Sequence, residues 1–213
     1  MGYSKASKAN THARLVEAAA ARFKERGIDG ISLADLMKEL KLTHGGFYRH
    51  FDSRDELVAE ALALALARSG ETMRERLFDG AKGDGTQSDL AGFIDFYLNE
   101  AHRDGRAGGC AVAALAGDAP RKSVQVQAQF REQIERNIAA LSEALPPNTA
   151  ADSREQALVM LSTLYGALTM ARAVGDSPLS REVLRTVRKR LTDAGGLNKK
   201  RRPRKKELAP IRD

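Results

Sequence analysis

The stretch that most constrains the fold runs from Ile31 to Leu57, ISLADLMKELKLTHGGFYRHFDSRDEL, and predicts two short helices and the start of a third. Its first half repeats apolar residues at the spacing of one helical face, at Leu33, Leu36, Met37 and Leu40. Ser32 can cap this helix, and Ser53 with Glu56 forms a capping pair that opens the third. The second helix, over residues 43–50, has only two large apolar side chains to hold it, Phe47 and Phe51.

Most of the second helix is therefore expected to lie outside the core, and its other residues are polar or glycine: Thr43, His44, Gly45, Gly46, Tyr48, Arg49 and His50. Hydroxyls and imidazoles bond to phosphate, and arginine can hold a guanine edge through two hydrogen bonds. Each glycine lowers helix propensity by roughly 1 kcal/mol but lets the backbone approach a partner closely. This is typical of a helix-turn-helix, whose second helix enters the major groove of DNA. The alternative is that Gly45 and Gly46 mark a loop.

The same region resembles the DNA-binding part of the TetR/AcrR family of bacterial transcriptional regulators. The resemblance covers roughly residues 9–66, and several short elements agree with the family in order and spacing. An aromatic residue and a glycine, Phe23 and Gly27, end the first helix. A glycine, an apolar residue and a hydroxyl residue follow at Gly30, Ile31 and Ser32. An aromatic block covers residues 47–51, and a hydroxyl residue, a basic residue and a leucine follow it at Ser53, Arg54 and Leu57.

The resemblance implies a role for individual residues. It implies that bases are read from the second helix, by Thr43, His44 and Gly46, with Arg49 close to them, and Gly45 belongs to the same DNA-binding set. It implies that phosphates are contacted from this helix and from its two neighbours, by Tyr48, His50, Ser32 and Arg54. The family more often has a lysine or a small polar residue just before the aromatic block, where this chain has His44, Gly45 and Gly46. Fewer side chains then reach the bases, so the sequence does not define an operator.

The helical pattern of the whole chain predicts an all-α protein of about nine helices without strands. We expect a disordered arm over 1–10, a helix-turn-helix domain over 11–55, an effector-binding and dimerisation domain over 56–194 and a disordered basic tail over 195–213. The resemblance implies a homodimer that packs helices 152–174 and 180–193 against their copies and binds an inverted repeat in double-stranded DNA. Taken alone, the apolar stripes of those helices are equally consistent with the core of one subunit.

The net charge of +7 is unevenly distributed along the chain. Residues 1–55 hold ten basic and seven acidic residues. Residues 56–194 hold seventeen basic and nineteen acidic residues, and residues 195–213 hold eight basic and two acidic residues. Positive charge thus lies on the predicted DNA-binding module and the tail, as expected of a nucleic-acid binder joined to a domain with another task. Lys5, Lys8 and the tail can add phosphate contacts, or they can belong to solvated termini.

Other function classes find little support in the sequence. The single cysteine excludes an internal disulfide, and we see neither a signal peptide nor an apolar run long enough to cross a membrane. We therefore expect a cytoplasmic protein. The four histidines have no cysteine or carboxylate partners at metal-ligand spacing, and phosphate-loop and nucleophile-turn motifs are missing. We expect no catalytic site, metal or cofactor.

An effector pocket is expected among the middle helices, lined by apolar and hydroxyl-bearing side chains: Phe93, Phe96, Tyr97, Cys110, Phe130, Met160 and Tyr165. Each is equally consistent with plain core. Cys110 follows Gly108 and Gly109 and opens a helix, where the dipole favours a thiolate. In one branch of the family a cysteine at a comparable step senses oxidants or electrophiles, whereas the alternative is a small buried apolar residue.

The sequence therefore predicts a ligand-responsive homodimeric repressor that a small molecule of unknown identity releases from its operator. Three alternatives stay open. The chain can be an architectural or non-specific DNA-binding protein without ligand control, a regulator in which Cys110 senses electrophiles, or a small helical enzyme working through Cys110. Activation instead of repression is also consistent with the sequence.

Overall fold

The computed structural model describes residues 5–78, 88–146 and 150–194, and within these ranges it contains ten α-helices, one 3₁₀ turn at Ala119–Arg121 and no strand. The prediction of an all-α protein is confirmed. The helices are α1 (Lys5–Arg26), α2 (Leu33–Glu39), α3 (His44–Phe47), α4 (Arg54–Phe78), α5 (Leu90–Tyr97), α6 (Glu100–Asp104), α7 (Ala111–Leu115), α8 (Val124–Ala144), α9 (Ala150–Ala173) and α10 (Pro178–Ala194).

Helix α1 begins earlier than expected. Residues 5–10, predicted as part of a disordered arm, form its first turns, and Thr11 lies inside the helix and donates a hydrogen bond to the Ser7 carbonyl at 3.0 Å. That prediction was wrong because no glycine or proline interrupts residues 5–26, and alanine among short polar residues allows a helix as readily as a loop. The predicted tail over 195–213 lies outside the described residues.

The helix-turn-helix is formed by α2 and α3. The Ser32 hydroxyl accepts from the Asp35 backbone N–H at 3.1 Å and caps α2, whose Leu36 and Met37 are buried. Lys41 in the turn has φ of 57°, the left-handed value that lets the chain reverse tightly. Helix α3 covers only residues 44–47 and continues as a turn to His50, so it is shorter than predicted.

The larger domain is a bundle around α4, which packs against α1 and α8, while α9 packs against α8 and α10. Ala61 and Ala65 of α4 are almost fully buried, so the neighbouring helices approach its backbone closely. The expected domain boundary at residues 55 and 56 falls in the first turn of α4, which runs unbroken from one domain into the other. No described helix is long and apolar enough to cross a membrane.

Residues 90–104 form two helices, α5 and α6. Asn99 separates them, because its side chain accepts from the His102 backbone N–H at 2.7 Å and caps α6. The chain therefore turns a corner after Tyr97, which leaves Tyr97 and His102 in ring contact, with centroids 4.7 Å apart. This corner brings both side chains to the middle of the bundle.

The two domains are joined by hydrogen bonds as well as by α4. The backbone N–H of Ile28 donates to the Asp118 carboxylate at 3.1 Å, and Lys122 pairs with Asp29 at 2.6 Å. The Arg54 guanidinium donates to the Ile28 carbonyl at 2.7 Å. The loop between α1 and α2 is thus held by the segment that follows α7.

Candidate nucleic-acid interface and internal cavity

Helix α3 and its following turn present polar groups to solvent, and we call the residues 43–46 and 48–50 the reading surface. Phe47 is fully buried and stacks on Phe51 with ring centroids 5.3 Å apart, whereas the side chain of Tyr48, next in sequence, is 61 % exposed. Thr43, His44, Gly45 and Arg49 are also exposed, and Gly46 and His50 are half-buried. The prediction that this short helix stands outside the core on a small apolar contact is confirmed.

The reading surface forms one wall of an open cleft of about 930 Å³, whose other wall is the amino-terminal half of α1. The cleft adds Thr11, Lys41 and Leu42, which the sequence did not single out for the site. It also includes Lys8, which the sequence analysis named as a candidate phosphate contact. Lys8, Lys41 and Arg49 give it positive charge, and no acidic side chain lines it. Such a cleft suits a phosphate backbone electrostatically.

The two glycines of α3 differ in their surroundings. A Cβ added to Gly45 would meet no atom within 4 Å, so the packing of the protein does not require glycine there. A Cβ at Gly46 would lie 3.3 Å from the Thr43 hydroxyl oxygen, a tight contact within the same turn. The open space beside Gly45 therefore faces outwards, where a partner surface can use it.

Ser32 and Arg54 are already engaged within the protein. Besides capping α2, the Ser32 hydroxyl donates to the Asp35 carboxylate at 2.7 Å. Arg54 holds the Ile28 carbonyl and lies 3.5 Å from the Asp29 carboxylate. Both side chains thus fix the frame of the helix-turn-helix. The sequence predicted this for Ser32, the cap of α2, but not for Arg54, whose partners lie on the loop before α2.

His50 at the end of the reading surface lies near a second histidine. The rings of His50 and His12 are 6.3 Å apart, His12 stacks on Phe51, and its Nε2 lies 2.7 Å from the Glu60 carboxylate. Burial, followed by the nearby His12, Lys8 and Arg49, lowers the pKa of His50 below its usual value. Without a partner that supplies negative charge, His50 is therefore neutral at pH 7.

The larger domain encloses a cavity of about 30 Å³ between α4, α5, α8 and α9 and the loop before α7. Of the predicted pocket residues, the cavity brings together Phe93, Phe96, Tyr97, Cys110 and Tyr165. Phe130 is core and Met160 lines a separate cleft near Leu145, so neither lies on the cavity wall. The wall also contains residues that the sequence analysis did not propose: Ser69, Thr72, Met73, His102, Gly108, Gly109, Asn137 and Leu161.

Hydrogen bonds fix most polar groups of the cavity wall. The Asn137 amide donates to the Tyr165 hydroxyl at 2.7 Å and accepts from Gln133 at 2.8 Å. The Tyr97 hydroxyl lies near the Cys110 thiol, but it has no hydrogen bond of normal geometry although the residue is only 5 % exposed. Burial raises the pKa of both Tyr97 and Tyr165 well above the usual value, so both phenols stay neutral.

His102 connects the corner after α5 to the loop before α7. The Cys110 backbone N–H donates to its Nε2 at 3.1 Å, so the other ring nitrogen, Nδ1, carries the hydrogen and donates to the Tyr97 carbonyl at 2.8 Å. Burial lowers the pKa of His102, consistent with this neutral form. The Cys110 thiol caps α7 by accepting from the Ala113 N–H at 3.5 Å.

Two cations lie behind the loop that carries Cys110. Lys24 donates to the Gly109 carbonyl at 3.4 Å, and Arg172 donates to the carbonyls of His102 and Arg103 at 2.9 and 3.1 Å. Burial lowers the pKa of both Lys24 and Arg172, and no carboxylate within ion-pair distance is found for either among the described residues. Both would attract a thiolate at Cys110.

Helices α9 and α10 expose apolar side chains that no described residue covers. Val159, Met170 and Leu179 are each more than half exposed. Between the two helices lies an apolar groove of about 440 Å³ with small residues at its floor, Gly166 and Ala167. Such faces are typical of helices that pack against a second chain.

Comparison with known proteins identifies both halves of the chain. The family described as bacterial regulatory proteins of the tetR family matches residues 15–61, and the transcriptional regulator LmrA/YxaF-like C-terminal domain matches residues 87–190. No curated protein matches the sequence significantly.

Solved structures share the fold over most of the chain. A TetR-family transcriptional regulator from Cytophaga hutchinsonii is similar with a TM-score of 0.72 and 20 % identity over 92 % of this chain and 97 % of that one. The reduced form of NemR from E. coli is similar with a TM-score of 0.70 and 20 % identity, over 86 % of this chain and 96 % of that one. A TetR transcriptional regulator from Chloroflexus aurantiacus is similar with a TM-score of 0.70 and 23 % identity, over 87 % of this chain and 96 % of that one.

Proposed function

We propose, from the premise that this chain belongs to the TetR family of DNA-binding transcription regulators, that it is a homodimeric repressor which a small molecule releases from an inverted-repeat operator. The observation that carries the proposal is the reading surface, in which seven of the eight positions from 43 to 50, all but Phe47, leave polar groups and backbone outside the core. A purely structural helix of this length would gain nothing from such exposure. The protein then works in the cytoplasm, and we assign it no catalytic role.

In this proposal the start of α3 enters the major groove. Thr43, His44 and Arg49 reach base edges, and Gly45 and Gly46 allow the backbone to approach them. Tyr48, His50 and the backbone at Ser32 contact phosphates, with Arg54 holding the frame. The cleft supports this assignment because Lys8 and Lys41 add positive charge on either side of α3.

We infer that the dimer forms through residues 152–174 and 180–193. The exposed apolar side chains and the small residues of the groove on α9 and α10 support this, because they suit a close helix-to-helix contact in a four-helix bundle. A twofold dimer would present two reading surfaces to successive major grooves, roughly 34–36 Å apart.

The effector is proposed to bind the internal cavity. Filling the cavity would displace the loop at Gly108 and Gly109 and, through α7, the segment that holds Ile28 and Asp29. Effector and DNA would then oppose each other with a coupling of typically 1–3 kcal/mol. The hydrogen bond from Ile28 to Asp118 and the Lys122–Asp29 pair support this route between the sites.

A second candidate is a regulator in which Cys110 senses electrophiles. It is favoured by Lys24 and Arg172, whose charges lie next to the thiol without carboxylate partners, and by the position of the thiol at the start of α7. Here modification of the thiol, rather than reversible binding, would shift the loop. Cys110→Ser with unchanged DNA release by quinones would exclude this candidate.

Selection of bound fragments from genomic DNA by the full-length protein tests the main proposal. We expect an inverted repeat to be enriched, and Tyr48→Ala combined with Arg49→Ala to weaken its binding at least tenfold in fluorescence anisotropy. Arg131→Ala, an exposed arginine on α8, is the charge-matched control and should bind normally. Equal binding of selected and random duplexes of one length would instead support a non-specific DNA-binding protein.

A further inference from the structure

Among the described residues, no charged side chain lines the internal cavity, which limits what the cavity can bind. Its polar groups are hydroxyls, one thiol, one amide and one imidazole, on Ser69, Thr72, Tyr97, His102, Cys110, Asn137 and Tyr165. The nearby Lys24 and Arg172 do not line it, and both donate to backbone carbonyls. An ion that entered would lose its water without gaining a direct partner of opposite charge, which is strongly unfavourable.

The Tyr97 hydroxyl is the polar group of this wall that stands out, because its neighbours already have partners. Tyr165 accepts from Asn137, the Ser69 hydroxyl accepts from the Ala111 N–H at 3.1 Å, and both nitrogens of His102 are engaged. A buried hydroxyl without a partner is costly to keep unless something else accepts its hydrogen. Since Tyr97 lines the cavity, a ligand within it is the natural acceptor.

The remaining wall is apolar and largely aromatic. Phe93, Phe96 and the ring of Tyr165 face the cavity together with Met73 and Leu161. At about 30 Å³ the cavity holds little more than a water molecule, so a ligand has to be compact and has to displace part of the wall. Gly108 is where the wall has room to move, since a Cβ there would meet no atom within 4 Å.

We propose that the cavity takes a compact, uncharged, largely apolar molecule with one hydrogen-bond acceptor such as a carbonyl oxygen, and that the Tyr97 hydroxyl donates to this acceptor. The inference rests on the proposed function, in which this cavity binds the effector, and it names the chemical class of that effector. Tyr97 is then the residue that distinguishes a carbonyl compound from a hydrocarbon of the same size.

Isothermal titration calorimetry of the full-length protein tests this with three probes of similar size: acetophenone, which is neutral with a carbonyl, ethylbenzene, which lacks the oxygen, and benzoate, which is charged. We expect the wild-type protein to prefer acetophenone over ethylbenzene and benzoate. Tyr97→Phe should weaken acetophenone about five- to tenfold and leave ethylbenzene unchanged. Arg131→Ala, the exposed control on α8, should leave all three affinities unchanged.

Several outcomes overturn the assignment. These are no measurable binding of acetophenone, binding of benzoate as tight as that of acetophenone, or equal losses for acetophenone and ethylbenzene in Tyr97→Phe. The wild-type ranking of the probes decides the charge question even if that variant fails to fold. Release of a selected operator is measured separately by anisotropy. If acetophenone binds in a Tyr97-dependent manner but does not release the operator, effector control is refuted and the ligand class is supported. If only an anion releases the operator, effector control is supported and the ligand class is refuted.

Discussion

The reading surface and the internal cavity satisfy their polar groups in opposite ways. On the reading surface Tyr48 and its exposed neighbours keep hydrogen-bonding capacity free in water, where an unpaired group costs nothing, and only His50 Nδ1 is buried without a partner among the described atoms of this surface. In the cavity most described polar groups are paired, and the Tyr97 hydroxyl is buried without a hydrogen bond of normal geometry. On the reading surface, a substitution that changes DNA binding is therefore expected to leave the free energy of unfolding unchanged. In the cavity, a polar group that serves ligand binding is expected to lower the free energy of unfolding.

The contrast begins with how each region is held. The reading surface depends on two stacked buried rings, Phe47 and Phe51, whereas the cavity is framed by four helices and a hydrogen-bonded chain through Gln133, Asn137 and Tyr165. Damage to the first should be local and large, because so few side chains carry the contact. Damage to the second should be graded.

The largest expected effect tests the apolar contact of the reading surface. Phe47→Ala should lower the free energy of unfolding by about 3–5 kcal/mol, because a fully buried ring is lost from a short helix with no other large apolar residue. Tyr48→Ala, one residue on, should change it by less than about 0.5 kcal/mol. Urea unfolding followed by circular dichroism measures both, and comparable losses in the two variants would contradict the exposed position of Tyr48.

Next in size is the hydrogen-bonded chain of the cavity. Asn137→Ala should lower the free energy of unfolding by about 2–3 kcal/mol, because it leaves both Tyr165 and Gln133 without their partners in a buried site. Tyr165→Phe removes only one of the two bonds and should cost about half as much. A larger loss in Tyr165→Phe than in Asn137→Ala, measured by urea unfolding, would show that the chain is not held at Asn137.

These regions also differ in how far the sequence predicts them. The reading surface follows from local features, the helical repeat at Leu36 and Met37, the caps at Ser32 and Ser53, and the short polar helix, because the neighbours in space are neighbours in sequence. The roles of Arg54 and Lys41 were less visible, since one depends on the Ile28 carbonyl and the other on the backbone angle of a turn.

The cavity could be predicted only in part. The aromatic residues of α5 and α9 were correctly grouped, but Phe130 and Met160 have the same apolar character and lie elsewhere. Ser69 and Thr72 resemble ordinary polar residues of a long helix, and only the packing of α4 against α5 and α8 turns them inwards. Helix-to-helix geometry of this kind has no local signature.

Two substitutions should raise stability, and they sharpen the contrast. Gly45→Ala should stabilise the protein by about 0.5–1 kcal/mol, since alanine favours helix and the added Cβ meets no atom within 4 Å, and should weaken operator binding severalfold because the Cβ projects at the groove. Tyr97→Phe should gain up to about 1 kcal/mol by removing the unpaired buried hydroxyl. Thermal unfolding measures both. A destabilised Gly45→Ala would mean that the glycine serves the fold rather than the contact with DNA.

The smallest expected effect concerns pH, because each region holds one histidine with a lowered pKa, His50 and His102. In the unfolded chain both should titrate near 6.5, above their native values. Their contribution to stability is therefore complete above about pH 6.5 and is lost as the pH falls through that value towards the native pKa. His102→Asn should flatten the decline in unfolding free energy between pH 7.5 and 5.5, because the buried imidazole no longer has to be kept neutral.

In the proposed complex, DNA should reverse the sign for His50. Phosphates next to the ring would favour its charged form, so binding would take up a proton, and operator affinity should rise no more than about tenfold as the pH falls from 7.5 to 6. His50→Gln keeps a polar side chain of similar reach without the titration and should remove this slope, while His102→Asn should retain it. Anisotropy titrations at constant ionic strength distinguish the two. A slope that persists in His50→Gln would place the proton uptake on another group.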